Sequence, residues 1–520
     1  MGDHKTDTFR LLKNMDIRYK AVFVSTLLWG GLAHGFIFFN KISVQDDLFC
    51  LFDVGATYTS GRWFLGTLGS LVSWFFGSPN FSTPLFSGLF SLMCIAAFGC
   101  ILVKLLDFRR IVCCIALSGI LVTFPSVTGL FFYLFTMPYY MVALVLAGLG
   151  GLMICRQTKY SVPIGIVLTA CSLGIYQAYL PVTLCIFLLN FLHTVHTAEH
   201  WSWTRLIRQV LFYAVSSLLC FAVYYGVCKC YLLYYHDELS GYQNISSMGQ
   251  EGLGVYLNRA ILAYKLTLKP TNVKYLRASA YMYPYRAITI YRVLLVVSAI
   301  LSVWMLISEY RKNRCKAVST GLALLALPAA ANFIYIMCDA GNVHNLMVYG
   351  QVMLFVYTLW LAEQIFPFKI HLTQKACQGI LLLLLVLSVM DARFANAVYL
   401  KAQMEQQQTI SFFNTLSTRI QSTPGYRDSF PVAFINAQQI SSSAMRPIAG
   451  FEGMEIEPVD GVATLVNVYS WKEFMHYWCG FCPELADPAV FETMPQVEDM
   501  PHYPDDGSIR IIDNTVVVKF

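Results

Sequence analysis

Apolar residues fall along most of this chain in long unbroken runs rather than in the short periods of a soluble protein. A helix crosses the hydrocarbon of a bilayer with about 20 such residues. Runs of this kind occupy 21–40, 83–105, 110–127, 131–154, 160–176, 178–195, 207–230, 288–308, 317–338, 346–366 and 377–394, which predicts about eleven spans. Residues 63–77 (WFLGTLGSLVSWFFG) are equally apolar but only about fifteen long, a length that suits an interfacial or re-entrant helix. After Met390 the pattern changes. From 396 onward, charges, amides and prolines appear at soluble-domain density. The stretch 403–421 places Met404, Ile410, Phe413, Leu416 and Ile420 on one helical face. Residues 430–435 read as a buried strand, and 508–520 as two strands around Asp513-Asn514.

The expected fold is therefore mainly α. A polytopic transmembrane bundle takes 1–395, with a first outer loop at 41–82, and a small extracytoplasmic α/β domain takes 396–520. Composition agrees. Of 520 residues, 57% are hydrophobic and 13% charged, against about 25% charged in a soluble domain. That excludes a soluble enzyme, a disordered chain and a fibre. The net charge of +6 comes without a basic tract or zinc-finger spacing, so nucleic acid is not an expected partner.

Basic residues near span ends set the orientation. Lys5, Arg10, Lys13, Arg18 and Lys20 precede the first span, with no small-residue cleavage site after it, so this span reads as an uncleaved anchor. Alternate connections carry Lys104, Arg109 and Arg110; Arg156 and Lys159; Arg205 and Arg208; Arg311, Lys312, Arg314 and Lys316; and Lys369 and Lys375. This places the N-terminus in the cytoplasm and the C-terminal domain outside. The long outer loop 231–287 departs from the alternation, with Arg259, Lys265, Lys269, Lys274, Arg277 and Arg286. Within it, 253–268 has the amphipathic pattern of a surface-lying helix. Its cations fit a pyrophosphate-linked donor or acceptor and an anionic lipid headgroup equally well.

Most of the sixteen cysteines lie in apolar runs and behave as small hydrophobes. Cys479-Gly-Phe-Cys482 has redox-motif spacing, but a helix-like run precedes it and Pro483 follows at once. It reads as a structural disulfide or an unpaired buried couple.

The candidate chemistry gathers in the first outer loop. Asp46 and Asp47 sit a few residues beyond the first span. A carboxylate there can take a proton from a sugar hydroxyl, help hold a cation, or simply cap the following helix. Gly61-Arg62-Trp63 opens the short apolar segment. Arginine offers a planar fork of donors to phosphate, tryptophan a face for a sugar, and the two also make an ordinary interfacial anchor. Tyr176 and Gln177 break an apolar run on the outer side, where they either contact a sugar or cap a turn. Tyr139 and Tyr140 read as an aromatic belt. Asp339 and His344 flank a short outer connection, where His344 either meets donor phosphate or faces solvent.

An acidic pair just after the first span, then a helix, then Gly-Arg-Trp opening an apolar stretch, resembles the serotype-converting glucosyltransferase family first known from phages. The many spans and the tail MPHYPDDGSIRIIDNTVVVKF are also similar to bacterial members. The resemblance implies a GT-C type enzyme of the bacterial cytoplasmic membrane. Such an enzyme takes a hexose, glucose in the first place, from a polyprenyl-phosphate donor. It adds the sugar to a surface polysaccharide or lipid-linked glycan on the outer face, as in O-antigen modification. It also implies an essential acid in the first outer loop, carried over to Asp46 or Asp47, with Asp46 the more critical, and a motif position at Arg62. An absolute metal requirement is not implied, and the chemistry admits a divalent cation between carboxylate and phosphate. The competing classes are a transporter or flippase of lipid-linked sugars and a polysaccharide polymerase or ligase. A transporter commonly shows inverted repeats, and none is visible here.

Overall fold

The computed structural model describes residues 14–55, 58–240, 251–269, 286–365, 371–440, 444–446, 448–451, 454, 456 and 465–520. The calls on Lys5, Arg10, Lys13, Lys274, Arg277 and Lys369 lie outside the described residues.

The chain is mostly helical. In order run α1 (Ile17–Phe39), α2 (Asp46–Phe49), α3 (Trp63–Phe76), α4 (Pro84–Leu106), α5 (Ile111–Thr123), α6 (Pro125–Leu130), α7 (Met137–Cys155) and α8 (Ser161–Ile175). Then follow α9 (Leu180–Thr197), α10 (Trp203–Tyr235), α11 (Leu253–Leu268), α12 (Ala287–Lys312), α13 (Arg314–Ala331), α14 (Ile334–Met337), α15 (Val352–Ile365) and α16 (His371–Gln421).

Among the described residues, eight helices are long and apolar enough to cross a membrane: 17–39, 84–106, 137–155, 177–197, 203–235, 287–312, 345–364 and 374–421. The expected eleven is not reached, and each shortfall has a local cause. The run 110–127 is cut by Pro125, which holds Phe124 in an extended conformation (φ −52°, ψ 132°) and opens the separate α6. The run 160–176 yields a helix of 15 residues that ends where Tyr176 turns extended. The run 317–338 carries Pro328, and the helix stops at Asn332. That asparagine reaches back to the Pro328 carbonyl (3.3 Å), donates to Thr267 (2.7 Å) and accepts from Gln351 (2.6 Å), so the break is stabilised from three sides. The short apolar segment is α3, 14 residues long, capped by Gly77 in the left-handed region.

The expected break between membrane and soluble parts is absent. The last apolar run and the amphipathic stretch are one helix of 51 residues, about 75 Å long at 1.5 Å per residue. That is more than twice the hydrocarbon thickness, so α16 rises well clear of any bilayer and carries the C-terminal domain on its final turns. Phe413, Leu416 and Ile420 are buried there against a three-stranded sheet. The strands are β1 (Val432–Ile435), β2 (Ile509–Ile512) and β3 (Thr515–Lys519), in the order β1-β3-β2. β1 runs parallel to β3, and β2 and β3 form the expected hairpin. Asp513 and Asn514 both have positive φ (48° and 58°), the two-residue turn whose twist matches that of the strands.

Cys479 and Cys482 are both free thiols, Cys479 half-buried and Cys482 exposed, so neither half of the expectation of a disulfide or a buried couple describes them fully. Burial pushes the Cys479 thiol up to about 11. Maleimide at neutral pH should therefore modify Cys482 well before Cys479. Mass spectrometry of the peptide spanning 478–484 checks this, and equal labelling or none would contradict it.

The connections rich in Lys and Arg gather at one end of the bundle. Arg18 bonds the Phe108 carbonyl (3.0 Å) and lies 3.5 Å from Asp107. Arg109 N–H donates to Glu363 (3.2 Å), Gln157 meets Gln209 (2.8 Å), and Asn313 donates to the Trp201 carbonyl (2.9 Å). The other ends of the same helices carry the first loop, the turn at 177–179, the 339–347 connection and the C-terminal domain.

Candidate active site

At that second end, segments far apart in sequence enclose a cavity of about 830 Å³, within the size range of small-molecule sites. Its wall includes Asp46, Arg62, Tyr176, Gln177 and His344, five of the seven residues given a catalytic or substrate-binding role from sequence, and also Tyr140. Asp47 and Trp63 are not among them.

Asp46 opens α2, a single helical turn, and its side chain is exposed. Its carboxylate accepts a hydrogen bond from Tyr469 Oη (2.9 Å). Burial, and then Asp46, hold the Tyr469 phenol well above its usual range, so it stays a donor. Gln45, just before, has φ 35° and ψ −112°, a region that residues other than glycine rarely occupy. Such strain clusters at functional sites because the surroundings must enforce it.

Asp47 points the other way. It is fully buried, 2.6 Å from Lys41 Nζ and 2.6 Å from the Ser82 hydroxyl that donates to it, and Lys41 also donates to Ser82 (2.7 Å). Adjacent residues on a helical turn face about 100° apart, so one carboxylate faces the cavity and the other pins loop 41–47 to the start of α4. Cys50 lies beside both. Burial first, then Asp53, Asp46 and Asp47, push its thiol up to about 12.

Gly-Arg-Trp is three separate devices. Gly61 has φ 77°, and a Cβ on it would lie 2.4 Å from Tyr224 Oη and 2.9 Å from Gln177 Nε2. Those two atoms are bonded to each other (3.1 Å), and Gln177 also donates to the Ser60 carbonyl (2.8 Å). Gln177 therefore ties α8–α9 to the first loop as well as lining the cavity. Gly61→Ala should displace this corner and cut activity at least ten-fold while the protein still folds, since only one backbone conformation and two side-chain ends are disturbed. A transfer assay beside a melting curve checks it, and wild-type activity would contradict it.

Arg62 precedes α3 with its guanidinium 5.9 Å from the Tyr140 ring. Tyr140 in turn stacks on Tyr176 (4.0 Å between centroids, 12° between planes). Tyr176 is thus mostly buried against Tyr140 while still contributing to the cavity wall. Trp63 packs away from the cavity onto α8, where a Cβ at Gly174 would come within 2.6 Å of the indole. It anchors α3 rather than offering a face to a sugar. Asp339 closes its own turn, accepting from Gly341 N–H (2.8 Å), while His344 lines the cavity just before the helical turn Asn345–Gln351.

Several wall residues were not singled out from sequence. Lys229, Asp237 and Glu238 come from the end of α10 and the segment after it. A lysine interrupting the apolar run 207–230 was a usable signal for the first. Asn467 and Tyr469 come from the C-terminal domain, and nothing local marks them. The α10 side of the wall is largely apolar, with Phe221, Tyr225, Leu232 and Leu233. Among the described residues, no three His, Cys, Asp or Glu side chains converge on one point that could hold a metal ion.

The sequence carries a family match consistent with this geometry. The family model described as glucosyl transferase GtrII covers residues 35–355. That interval contains all seven residues given a catalytic or substrate-binding role from sequence and ends before α16 and the C-terminal domain. No curated protein and no solved structure matches the chain. With well over half its length matched, this chain belongs to the serotype-converting GtrII glucosyltransferase family.

Proposed function

We propose that the protein moves a hexose, glucose in the first place, from a polyprenyl-phosphate donor to a surface polysaccharide or lipid-linked glycan outside the bacterial cytoplasmic membrane. The observation that carries this is the convergence of Asp46 and Arg62 of the first loop with His344, about 280 residues further on, on one cavity at the end of the bundle away from the basic connections. By the bias of Lys and Arg toward the cytoplasm, that end faces out. A polar floor beside an apolar α10 wall suits a ligand with a sugar phosphate at one end and a prenyl chain at the other.

In this mechanism the acceptor hydroxyl attacks the anomeric carbon while the bond from that carbon to the phosphate oxygen breaks. Asp46 takes the hydroxyl proton. Arg62 and His344 face the phosphate as it leaves with the bonding pair. The leaving group is already an anion, so no strong general acid is needed. One displacement inverts the anomeric centre.

The test uses purified protein in lipid vesicles with radiolabelled polyprenyl-phosphate-glucose and the host's surface glycan. Label appearing in the glycan supports the proposal. Movement of the labelled lipid across the bilayer, without transfer to any acceptor, would overturn it in favour of a transporter.

A further inference from the structure

The C-terminal domain does not merely stand near the cavity. It grips the turn that bears Asp46. Leu48, buried in α2, belongs to the same apolar core as Phe413, Leu416, Trp471 and Phe474 of that domain. Phe49 stacks on Tyr469 (5.7 Å, 12°), and Phe52 meets Tyr477 edge-on (6.0 Å, 74°). Ser470 Oγ donates to the Gln45 carbonyl (3.4 Å), the residue with the strained backbone, and Tyr469 Oη donates to Asp46 itself (2.9 Å). Four of these contacts hold Gln45, Asp46, Leu48 and Phe49, and three of the four are made by Tyr469 and Ser470. From the membrane side, the turn is tied through the neighbouring residue, Asp47.

We infer that the C-terminal domain completes the active site, with Tyr469 as a positioning residue whose hydroxyl aims the Asp46 carboxylate at the acceptor hydroxyl. The inference rests on the transfer reaction proposed above. A carboxylate on an exposed single turn rotates freely about two side-chain bonds. One hydrogen bond to Oδ1 from a ring clamped on Phe49 removes that freedom and leaves Oδ2 for the proton. Small misplacements of a base cost large factors in rate, whereas substrate binding elsewhere in the cavity is untouched. The loss should therefore fall on kcat.

Tyr469→Phe keeps the ring and its stack on Phe49 and deletes only the hydroxyl. The expected result is a fall in kcat of about ten- to thirty-fold, with donor KM changed less than two-fold and an unaltered melting temperature. Tyr469→Leu, which also removes the stack, should lose more. A second measurement does not depend on activity. With 3-fluorotyrosine placed at 469, the fluorine resonance should shift on Asp46→Asn and stay put on Asp237→Asn. Wild-type kcat in Tyr469→Phe, or a fluorine resonance blind to Asp46, would overturn the inference while transfer by the unmodified protein still upheld the proposed function. If the unmodified protein transfers no sugar, both fall together.

Discussion

Asp46→Asn should reduce sugar transfer by about 10²–10⁴-fold, the range a positioned general base supplies, and leave the fold intact. Asparagine has the same shape and still accepts the Tyr469 hydrogen bond at its carbonyl oxygen, so α2 and its contacts persist. What it cannot do is take a proton. The side chain is exposed at the cavity wall and anchors nothing in the core, so the melting temperature should match the wild type. Donor KM should change little, since the phosphate contacts proposed above are Arg62 and His344. Initial rates in vesicles, with a melting curve on the same preparation, check the prediction. A variant within about three-fold of wild type would remove Asp46 from the mechanism and pass the role to Asp237 or Glu238, the other carboxylates on the wall.

Asp47→Asn should fail for a different reason. Asp47 is fully buried between Lys41 and Ser82. Removing one partner of a buried ion pair typically costs about 3–5 kcal/mol, because the remaining charge is stranded. Here the stranded group is Lys41. Burial already lowers its pKa from the ordinary 10.5, with Asp47 opposing that shift. In the variant this opposition is gone, and the folded protein gives up the lysine proton at lower pH still. The unfolded chain holds the same proton up to 10.5, so it binds more protons than the folded one over the interval below that value. Stability then rises with pH. The variant should be least stable near neutrality and recover as pH rises toward 10. Replacing both charges, Lys41→Met with Asp47→Leu, should cost less than Asp47→Asn alone. Melting temperatures in detergent across that pH range decide the matter. A fully stable Asp47→Asn protein that transfers no sugar would reverse the roles given to the two aspartates.

The two neighbours show where reading the chain stops. As letters they are equivalent: adjacent, acidic and just outside the first span. Their side chains diverge by the angle of one helical step, and what lies along each direction comes from elsewhere. Lys41 was six residues away and unremarkable, Ser82 was 35 away, and Tyr469 was 423 away. The same holds for Gly-Arg-Trp. Its arginine lines the cavity, but its tryptophan turns onto α8 and its glycine is required by Tyr224 and Gln177. The runs 110–127 and 317–338 are interrupted for a local reason present in the letters, since Pro125 opens a new helix after the break at Phe124 and Pro328 sits in the last turn of α13, three residues before its end at Ala331. The single helix through 395 gave no such sign. A change in composition marks a change of surroundings, and helical backbone passes through that change without interruption.

Sequence by itself determined the class of molecule and which connections carry its basic residues. Long apolar runs allow only buried or lipid-facing helices, because backbone groups in hydrocarbon must bond within their own segment. Basic residues cluster at one end because they partition out of it. Turn chemistry at Asp513-Asn514 specifies the C-terminal hairpin, because both residues tolerate positive φ. These are local free energies, and each is paid within a few residues of where it is written. Which carboxylate faces the cavity, which aromatic rings wall it, and that a domain beyond the family match reaches over to hold Asp46 are long-range outcomes. They depend on packing between helices hundreds of residues apart, where no single residue carries the preference and only the assembled bundle selects the geometry.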